Sequence, residues 1–531
     1  MREEEVLIVG AGPTGLSMAI ELKRLGVPFR VVEKSLHAAQ YSQALVVQAR
    51  TLEQFERYGI AETAVQRGRP LKHASMISEG RTIISFSLDK IPGHYPFVLF
   101  LPQNETEALL IEHLESLGGR IERGVELLSI KEKDNGAEVQ LRGADGAVED
   151  VRSNWVVGCD GAHSAVRASL KIPFSGAKVG LNFFLGDLEL EGPDLLGDEL
   201  RIYVHRGDIV FIARLKEKLF RVIAALHSEQ DAAQDKQLKL SDFQEPMDRA
   251  GIRMRATAAT WMTPFRVSDR RAERIQQGHI FLAGDASHIH SPVAGQGMNT
   301  GIQDAANLAW KIAAVRNGAD EKLLKSYEEE RGKVSEELLR GTSRVLKAVT
   351  TRNVLLEKLR DVLVHTVTQI PYVQDQIVGF VSETAIGYRD SSAVMDFPNL
   401  GTAHAGDRMP NPELAWKGGR MRLLDSLASG RALLVGLDVE EPSRQQALLP
   451  NADSVFFRSN DLQTGKEELK ELLGEGGVIF VRPDGYVGFR GASSNLDGLE
   501  EFARKLGGAF VGPARESGER GKAAEAGSSS D

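Results

Sequence analysis

Apolar residues in the first third of this chain come in short unbroken runs that end at glycine or at an acid. Val6-Leu7-Ile8-Val9 is wholly apolar, as in a parallel strand buried on both faces. Met18, Leu22, Leu25 and Gly26 follow at i, i+4, i+7 and i+8, a helix face suited to packing on a sheet. Gly26 can end that helix, and Phe29-Arg30-Val31-Val32 predicts a second strand closing on Glu33. Two further runs repeat the pattern: Trp155-Val156-Val157-Gly158-Cys159 stops at Asp160-Gly161, and His279-Ile280-Phe281-Leu282-Ala283 stops at Gly284-Asp285. Strand, helix, strand in that order predicts an α/β fold with a Rossmann-like sheet.

Elsewhere the pattern changes. Between residues 176 and 274, Asn182–Leu190, Asp208–Ala213 and Leu219–Ala224 read as consecutive strands, an inserted β-sheet rather than more βαβ units. From 322 to about 380 the spacing is helical, with Leu355, Leu356, Leu359, Val362 and Leu363 as one apolar stripe, expected to pack on neighbouring helices. After Asp396-Phe397-Pro398-Asn399 a further unit begins, with strands predicted at Ala432–Leu437 and Val478–Val481. The last residues, ending Ala524-Glu525-Ala526-Gly527-Ser528-Ser529-Ser530-Asp531, are small and polar and are expected to be disordered.

The polar residues between these runs carry the chemistry. Gly10-Ala11-Gly12-Pro13-Thr14-Gly15 follows the first strand and opens the first helix. Gly10 allows a tight turn, Gly12 lets backbone approach a pyrophosphate, and Gly15 brings helix and strand together. The helix N-terminus, with Pro13 and Thr14, offers N–H groups and partial positive charge to phosphates. Glu33, followed by Lys34, stands where a carboxylate accepts ribose hydroxyls and repels a 2′-phosphate, which predicts an adenine dinucleotide other than NADP at this turn. Asp160 and Asp285, each at a strand end beside a glycine, suit sugar hydroxyls. The segment Ser291–Gly301, a second glycine-rich helix start, suits the polar groups of a flavin ring. Together the three segments predict FAD.

Bulk properties narrow the classes that remain. At 531 residues the chain exceeds one ordinary core, and the net charge of −9 is interspersed, so no nucleic-acid footprint is expected. The single cysteine, Cys159, excludes an internal disulfide and a cysteine-based metal cage; no metal site is expected. No apolar run reaches the roughly 18 residues of a membrane span. The acidic start, Arg2-Glu3-Glu4-Glu5, leads directly into a strand, which predicts a cytoplasmic protein without a signal peptide.

Ala283-Gly284-Asp285-Ala286-Ser287-His288 and Gly295-Gln296-Gly297-Met298-Asn299 resemble the motifs of the single-component FAD aromatic hydroxylases, flavoprotein monooxygenases of the para-hydroxybenzoate hydroxylase fold. Arg50-Thr51-Leu52-Glu53, Leu101-Pro102-Gln103, Asp160-Gly161-Ala162-His163-Ser164 and Ser326-Tyr327-Glu328-Glu329-Glu330-Arg331 match as well. The resemblance implies that Glu33 binds the adenosine ribose, Gln103 the flavin side, and Asp285 the ribityl or pyrophosphate region. It assigns the Asp160 segment to both FAD and NAD(P)H, counts Pro292 among the cofactor-binding residues, and lines the isoalloxazine ring with Gly295, Gly297, Met298 and Asn299. Gln43 stands where many relatives carry an arginine, and Ala294 where they often carry a glycine.

The implied activity is hydroxylation of a phenolic or polyketide-type aromatic with NAD(P)H and O2, through a flavin hydroperoxide. In this chemistry the cofactor performs the hard step, so no catalytic triad is expected and no catalytic residue is assigned. His288 and His290 are candidate proton carriers, with a structural role the stronger expectation for His288. A reductase or dehydrogenase of the same fold acting on a non-aromatic substrate, and a non-catalytic flavin-containing binder of aromatics or drugs, stay open as alternatives.

The implied domains are a FAD-binding domain over 1–175, with a substrate segment near 73–97, and a substrate sheet over 176–274. The rest of the FAD-binding domain and a helical connection follow over 275–390. The unit over 395–513 resembles the thioredoxin-like C-terminal domain of the phenol hydroxylase branch; without cysteine it suits a structural role or a homodimer contact. Residues 514–531 form the tail. Tyr203, Phe211 and Phe220 are candidate substrate-pocket residues.

Overall fold

The computed structural model describes residues 2–38, 44–194, 197, 199–226, 237–290, 295–350, 361, 364, 366–368, 370–397 and 401–506. Gln43, Pro292, Ala294, the Leu355–Leu363 stripe and the tail lie outside the described residues.

Strand Arg2–Val9, helix Pro13–Arg24 and strand Phe29–Glu33 form the predicted βαβ unit. Val6, Leu7, Ile8 and Val9 are all buried, as an all-apolar central strand requires. Pro13 begins the helix, where its missing N–H is no loss, and Gly26 follows its end at a left-handed φ of 69°. The acidic start joins the same strand: Arg2, Glu3 and Glu4 pair with Val151, Arg152 and Ser153, with Arg2 and Glu3 exposed and Glu4 half-buried.

The first sheet runs, in order, Gln276–Gln277, Ile280–Leu282, Val148–Gly158, Arg2–Val9, Phe29–Glu33 and Ile121–Arg123. Except for the Gln276–Gln277 edge these strands are parallel. A hairpin, Glu126–Lys133 with Gly136–Arg142, extends the long third strand antiparallel. Helix Gly297–Arg316 lies against the unit and is buried almost all round. Its charged members are therefore paired inside the protein, which bears on the site below.

The second sheet is the insertion expected from the change in pattern. Its order is His288–Ile289, Arg255–Ala272, Phe174–Glu191, Leu219–Leu226, Asp208–Arg214, Glu199–His205, His73–Ser78 and Arg81–Ser87. Helix Ser241–Arg249 covers one face, where Phe184, Tyr203, Phe220 and Phe243 form a core. Tyr203 and Phe220 are thus packing residues. Phe211 lies on the opposite face with Phe183, Leu346 and Val349, beside half-buried Met76, Ile202, Ile223 and Phe265. Period-two alternation separates Phe211 from Phe220, since Phe211 pairs with Ile223 and Arg214 with Phe220.

The third sheet runs Met395–Asp396, Val487–Ala492, Gly477–Val481, Leu433–Leu437 and Asp453–Phe457. Leu433–Leu437 and Asp453–Phe457 are parallel across helix Pro442–Leu448; Gly477–Val481 is antiparallel to both its neighbours. Among the described residues no helix is long and apolar enough to cross a membrane.

Candidate active site

Strand register brings the three segments expected to read a nucleotide to one edge. Val9 pairs with Val32 on one side and with Gly158 on the other, and Gly158 pairs with Leu282. The ladder continues one residue further through Gly10 N to Val32 O (2.8 Å), Cys159 N to Val9 O (2.7 Å) and Ala283 N to Gly158 O (3.0 Å). Gly10, Glu33, Asp160 and Asp285 therefore leave the carboxyl ends of neighbouring parallel strands at one level, where open α/β sheets bind ligands.

The glycines divide their work by geometry. Gly10 has φ of 104°, and a Cβ on it would collide with the Cys159 carbonyl; a Cβ on Gly15 would collide with the Gly10 carbonyl. A Cβ on Gly12 would meet nothing within 4 Å. The first two close the backbone together, and the third faces open space at an N-terminus with no side-chain cap and no acid in its first turn. Thr14 is packed against Gly284 and Gly301, where a Cβ on either glycine would strike its side chain. Its role is to seat the helix, leaving backbone to the ligand.

Glu33 ends its strand with Oε2 accepting Ala11 N at 2.9 Å and Oε1 accepting Ser35 N at 2.9 Å, so the carboxylate is fixed beside the turn. Lys34 is exposed. Gln103 begins helix Gln103–Ser116, donates to Glu107 at 2.9 Å and accepts from Ala44 N at 3.2 Å. Asp160 Oδ2 accepts Ala165 N (2.6 Å) and Val166 N (3.1 Å), holding the start of a short helix, while its buried Oδ1 has no hydrogen-bond partner among the described residues. Asp285 makes no hydrogen bond among the described residues. Its side chain reaches solvent, yet surrounding protein mass raises its pKa against the opposing charge of His288. An open Gly12, an unpartnered Asp160 oxygen and an accessible Asp285 fit the pyrophosphate and sugar of a dinucleotide.

The second glycine segment enters helix Gly297–Arg316, which has no side-chain cap and no acid in its first turn. The Asn299 side chain donates to Val46 O and Gly295 O and accepts Gln48 N, each at 2.8 Å. It is a staple that shapes the segment, so the free donors here are backbone N–H groups. Gly297 and Met298 are half-buried on the same turn.

Sequence reasoning missed the acid that organises this turn. Asp304 Oδ2 accepts Gly284 N (2.9 Å) and faces His288 Nε2 (2.8 Å); its Oδ1 accepts Arg331 Nε (2.6 Å). Burial alone would raise its pKa, but Arg331 and His288 bring it down to about 2. The signal was present: Asp304, Asn307 and Lys311 are the polar positions of an otherwise apolar, alanine-rich stretch over 304–315. Cys159 is buried, with its thiol pushed well up by burial and by Asp160 and Asp304, so it is no nucleophile.

Comparison with known proteins agrees with this geometry. Residues 3–342 match the FAD binding domain family, and residues 402–509 match the aromatic-ring hydroxylase C-terminal family. The chain is 32% identical over 511 residues to a pentachlorophenol 4-monooxygenase of Sphingobium chlorophenolicum, covering 91% of this chain and 93% of that one. It is 33% identical over 520 residues to a 6-methylpretetramide 4-monooxygenase of Streptomyces rimosus, covering 93% and 92%. An anhydrotetracycline hydroxylase structure from Streptomyces rimosus superposes with a TM-score of 0.79 at 26% identity, over 96% of this chain and 99% of that one. With the cofactor edge intact and both family regions matched, the chain belongs to the FAD-dependent aromatic-ring monooxygenases.

Proposed function

We propose that this FAD-dependent aromatic monooxygenase takes its electrons from NAD(P)H and hydroxylates a phenol or a phenolic polyketide on the Phe211 face of the second sheet. The observation that supports the reading is the registered edge at Val9, Gly158 and Leu282, which brings Gly10, Asp160 and Asp285 to one level. Bound FAD supplies the redox and oxygen chemistry. In this reading Gly12 and the Pro13–Thr14 helix start hold the pyrophosphate, Glu33 the adenosine ribose, and Gln103, Asp160 and Asp285 the remaining sugar and ribityl hydroxyls. Lys34 flanks the ribose, Pro292 and Gly295 belong to the flavin loop, and Gly297, Met298 and Asn299 offer it backbone.

The substrate floor follows from the two faces of the sheet. In this reading Phe183, Phe211 and Phe265, packed with Leu346 and Val349 beside half-buried Met76, Ile202 and Ile223, give the apolar aromatic face that orients a ring and excludes water. Ala213, in the strand that carries Phe211, packs into the core of the nucleotide-binding sheet.

The unit after residue 395 is read as thioredoxin-like. A parallel βαβ, then an antiparallel hairpin and helix Leu496–Lys505, in the sheet order reported above, support that reading. Without cysteine its role is structural or a homodimer contact, in a cytoplasmic enzyme.

Anaerobic reduction of the flavin by NADPH and NADH, with and without a panel of phenols and aromatic polyketides, tests the proposal. Acceleration by one compound, with aerobic turnover giving a product heavier by one oxygen, supports it. Reduction indifferent to every aromatic, with no oxygen incorporated, points to a reductase instead.

A further inference from the structure

Turns at the tips of hairpins run over a protein's surface as a rule. In the C-terminal unit, the tip joining Gly477–Val481 to Val487–Ala492 is buried throughout. Gly485 N donates to Arg482 O (2.9 Å) and Arg482 N to Tyr486 O (2.8 Å), with Gly485 at a φ of 83°. Arg482, Asp484 and Tyr486 are 0%, 2% and 3% exposed. Asp484 meets two helices of the nucleotide-binding region at once. Its carboxylate accepts Trp310 Nε1 (3.2 Å) from helix Gly297–Arg316, and its carbonyl accepts Arg50 Nη2 (2.7 Å) from helix Ala49–Tyr58.

Arg50 stands where a cation is opposed twice. It is 1% exposed, and it lies in the first turn of its helix, whose N-terminal partial charge is itself positive. The contacts that offset this come largely from the tip. They are the Asp484 carbonyl, the Tyr486 ring 4.7 Å from the guanidinium carbon, and the bare α-carbon of Gly485, where an added Cβ would come within 3.4 Å of Nη2. Glu53 completes the seat, accepting Arg50 Nη1 (2.7 Å) on one oxygen and Arg408 Nη1 of the C-terminal unit (2.6 Å) on the other.

The residues before Arg50 lead to the second glycine segment. Gln48 is the N-cap of the same helix, and its N–H donates to Asn299 Oδ1 (2.8 Å), the side chain that also holds Val46 O and Gly295 O. A ring therefore closes. It runs from Asp484 to Arg50, along one helix start to Gln48, across to Asn299, and down the other helix to Trp310 and back to Asp484. Trp310 is about three helical turns from Asn299, whereas Arg50 is two residues from Gln48, so a displacement of the tip passes most directly through Arg50.

We infer that the Arg482–Tyr486 hairpin tip is a positioning element of the cofactor site, and that Arg50 is the positioning residue through which it holds the second glycine segment. With the tip seated, Arg50 fixes the start of helix Ala49–Tyr58, Gln48 meets Asn299, and Asn299 holds Gly295 in place. The C-terminal unit thereby acts on the site itself, beyond a structural or dimer contact. The coupling rests on the proposed flavin reading only for what that segment binds.

The test compares Arg50→Met with Arg422→Met in the full-length holoenzyme. Arg422 also crosses between the two units, pairing with Glu56 on the last turn of the same helix, but it lies off the path to Gln48. Arg50→Met leaves Glu53 its ion pair with Arg408, so no carboxylate is stranded. Backbone hydrogen exchange and the visible absorption spectrum of the bound flavin are read, neither of which needs turnover. Arg50→Met is expected to speed exchange at Gln48 and over residues 295–301 by about tenfold or more, the worth of a hydrogen bond to a charged group in a local opening equilibrium, and to shift the flavin bands. Arg422→Met should leave both as in the parent. Arg50→Lys keeps the charge without the fork that reaches Glu53 and Asp484 together, so it should fall between, and it carries the test alone where Arg50→Met does not fold. Parental exchange over 295–301 in the Arg50 variants overturns the coupling. An equal rise in Arg50→Met and Arg422→Met also overturns it, because that is general loosening between the units. Faster exchange with an unmoved flavin spectrum supports the coupling and removes the flavin from that segment, so the two readings fail separately.

Discussion

Gly10 and Gly12 sit two residues apart and fail in different ways. A methyl on Gly10 collides with backbone that cannot move, at a φ that side chains avoid. Gly10→Ala is expected to cost roughly 2–4 kcal/mol of stability, read as a lowered Tm. Gly12 has φ of −75° and extended ψ, and its added carbon meets nothing, so Gly12→Val folds with nearly the parental Tm. It fails at binding, because the new side chain fills the approach to the pyrophosphate: the protein purifies without flavin. Asp285→Ala separates the cofactor from the fold in the same way. Losing charge-assisted bonds of about 1.5–3 kcal/mol each weakens FAD by ten- to a hundredfold in a binding titration, with stability little changed. These three residues were legible in the sequence because each sits at a forced position, between a strand end and a helix start. Asp304 was not, since a lone aspartate on a helix face announces no partner until the chain brings His288 and Arg331 to it.

Elements were legible where one period dominated. The βαβ unit, the inserted strands and helix Gly297–Arg316 all follow from spacing, whereas the hairpin over Glu126–Arg142 went unread because its residues are mostly polar and half-exposed. The faces of the second sheet also stayed hidden, as strands buried on both sides show no alternation to tell Phe211 from Phe220. Helix Pro371–Ser382 ends on a residue whose local cost is visible only in three dimensions. Glu383 is buried at a left-handed φ of 60°, takes donors from Gln303 and Thr300, and has its pKa raised by burial to about 8. A carboxyl that stays protonated in the folded state while the unfolded chain ionises removes stability as pH rises. The loss begins near the ordinary value of 4.5 and is complete once pH passes about 8. Glu383→Gln keeps the acceptor and abolishes the ionisation. It should match the parent in Tm near pH 4.5 and exceed it near pH 9. Each tenfold difference in proton affinity between the folded and unfolded carboxyl contributes at most about 1.4 kcal/mol to that gap. A Tm difference that is the same at both ends would mean that Glu383 ionises freely in the folded protein.

At the scale of the whole molecule, the helix that begins at the second glycine segment is gripped at its far end by the C-terminal unit. Glu330 accepts Lys311 (2.9 Å), Arg482 (2.8 and 3.0 Å) and Ser391 (2.6 Å). Asp484 pairs with Arg482 (2.5 Å) and accepts Trp310 Nε1 at 3.2 Å, while its carbonyl takes Arg50 at 2.7 Å. Lys311, Glu330, Arg482 and Asp484 are each no more than 2% exposed, so these charges survive burial only because the two units bring them together. Burial draws Lys311 down to about 8 even beside Glu330, which shows how little solvent reaches the cluster. The arrangement predicts an asymmetry between single and double substitutions. Arg482→Met leaves Lys311 to neutralise Glu330 but strands Asp484 on neutral donors, at a cost of about 3–5 kcal/mol. The C-terminal unit should then loosen first, seen as faster proteolysis between residues 383 and 402 before the flavin is lost. Adding Asp484→Asn removes the stranded charge while an amide oxygen still accepts from Trp310 and the backbone carbonyl still holds Arg50. The double variant should therefore be more stable than Arg482→Met alone, although it carries one more substitution. If the two changes simply add, the clamp is made of separate contacts, and burial of apolar surface between the units holds them instead.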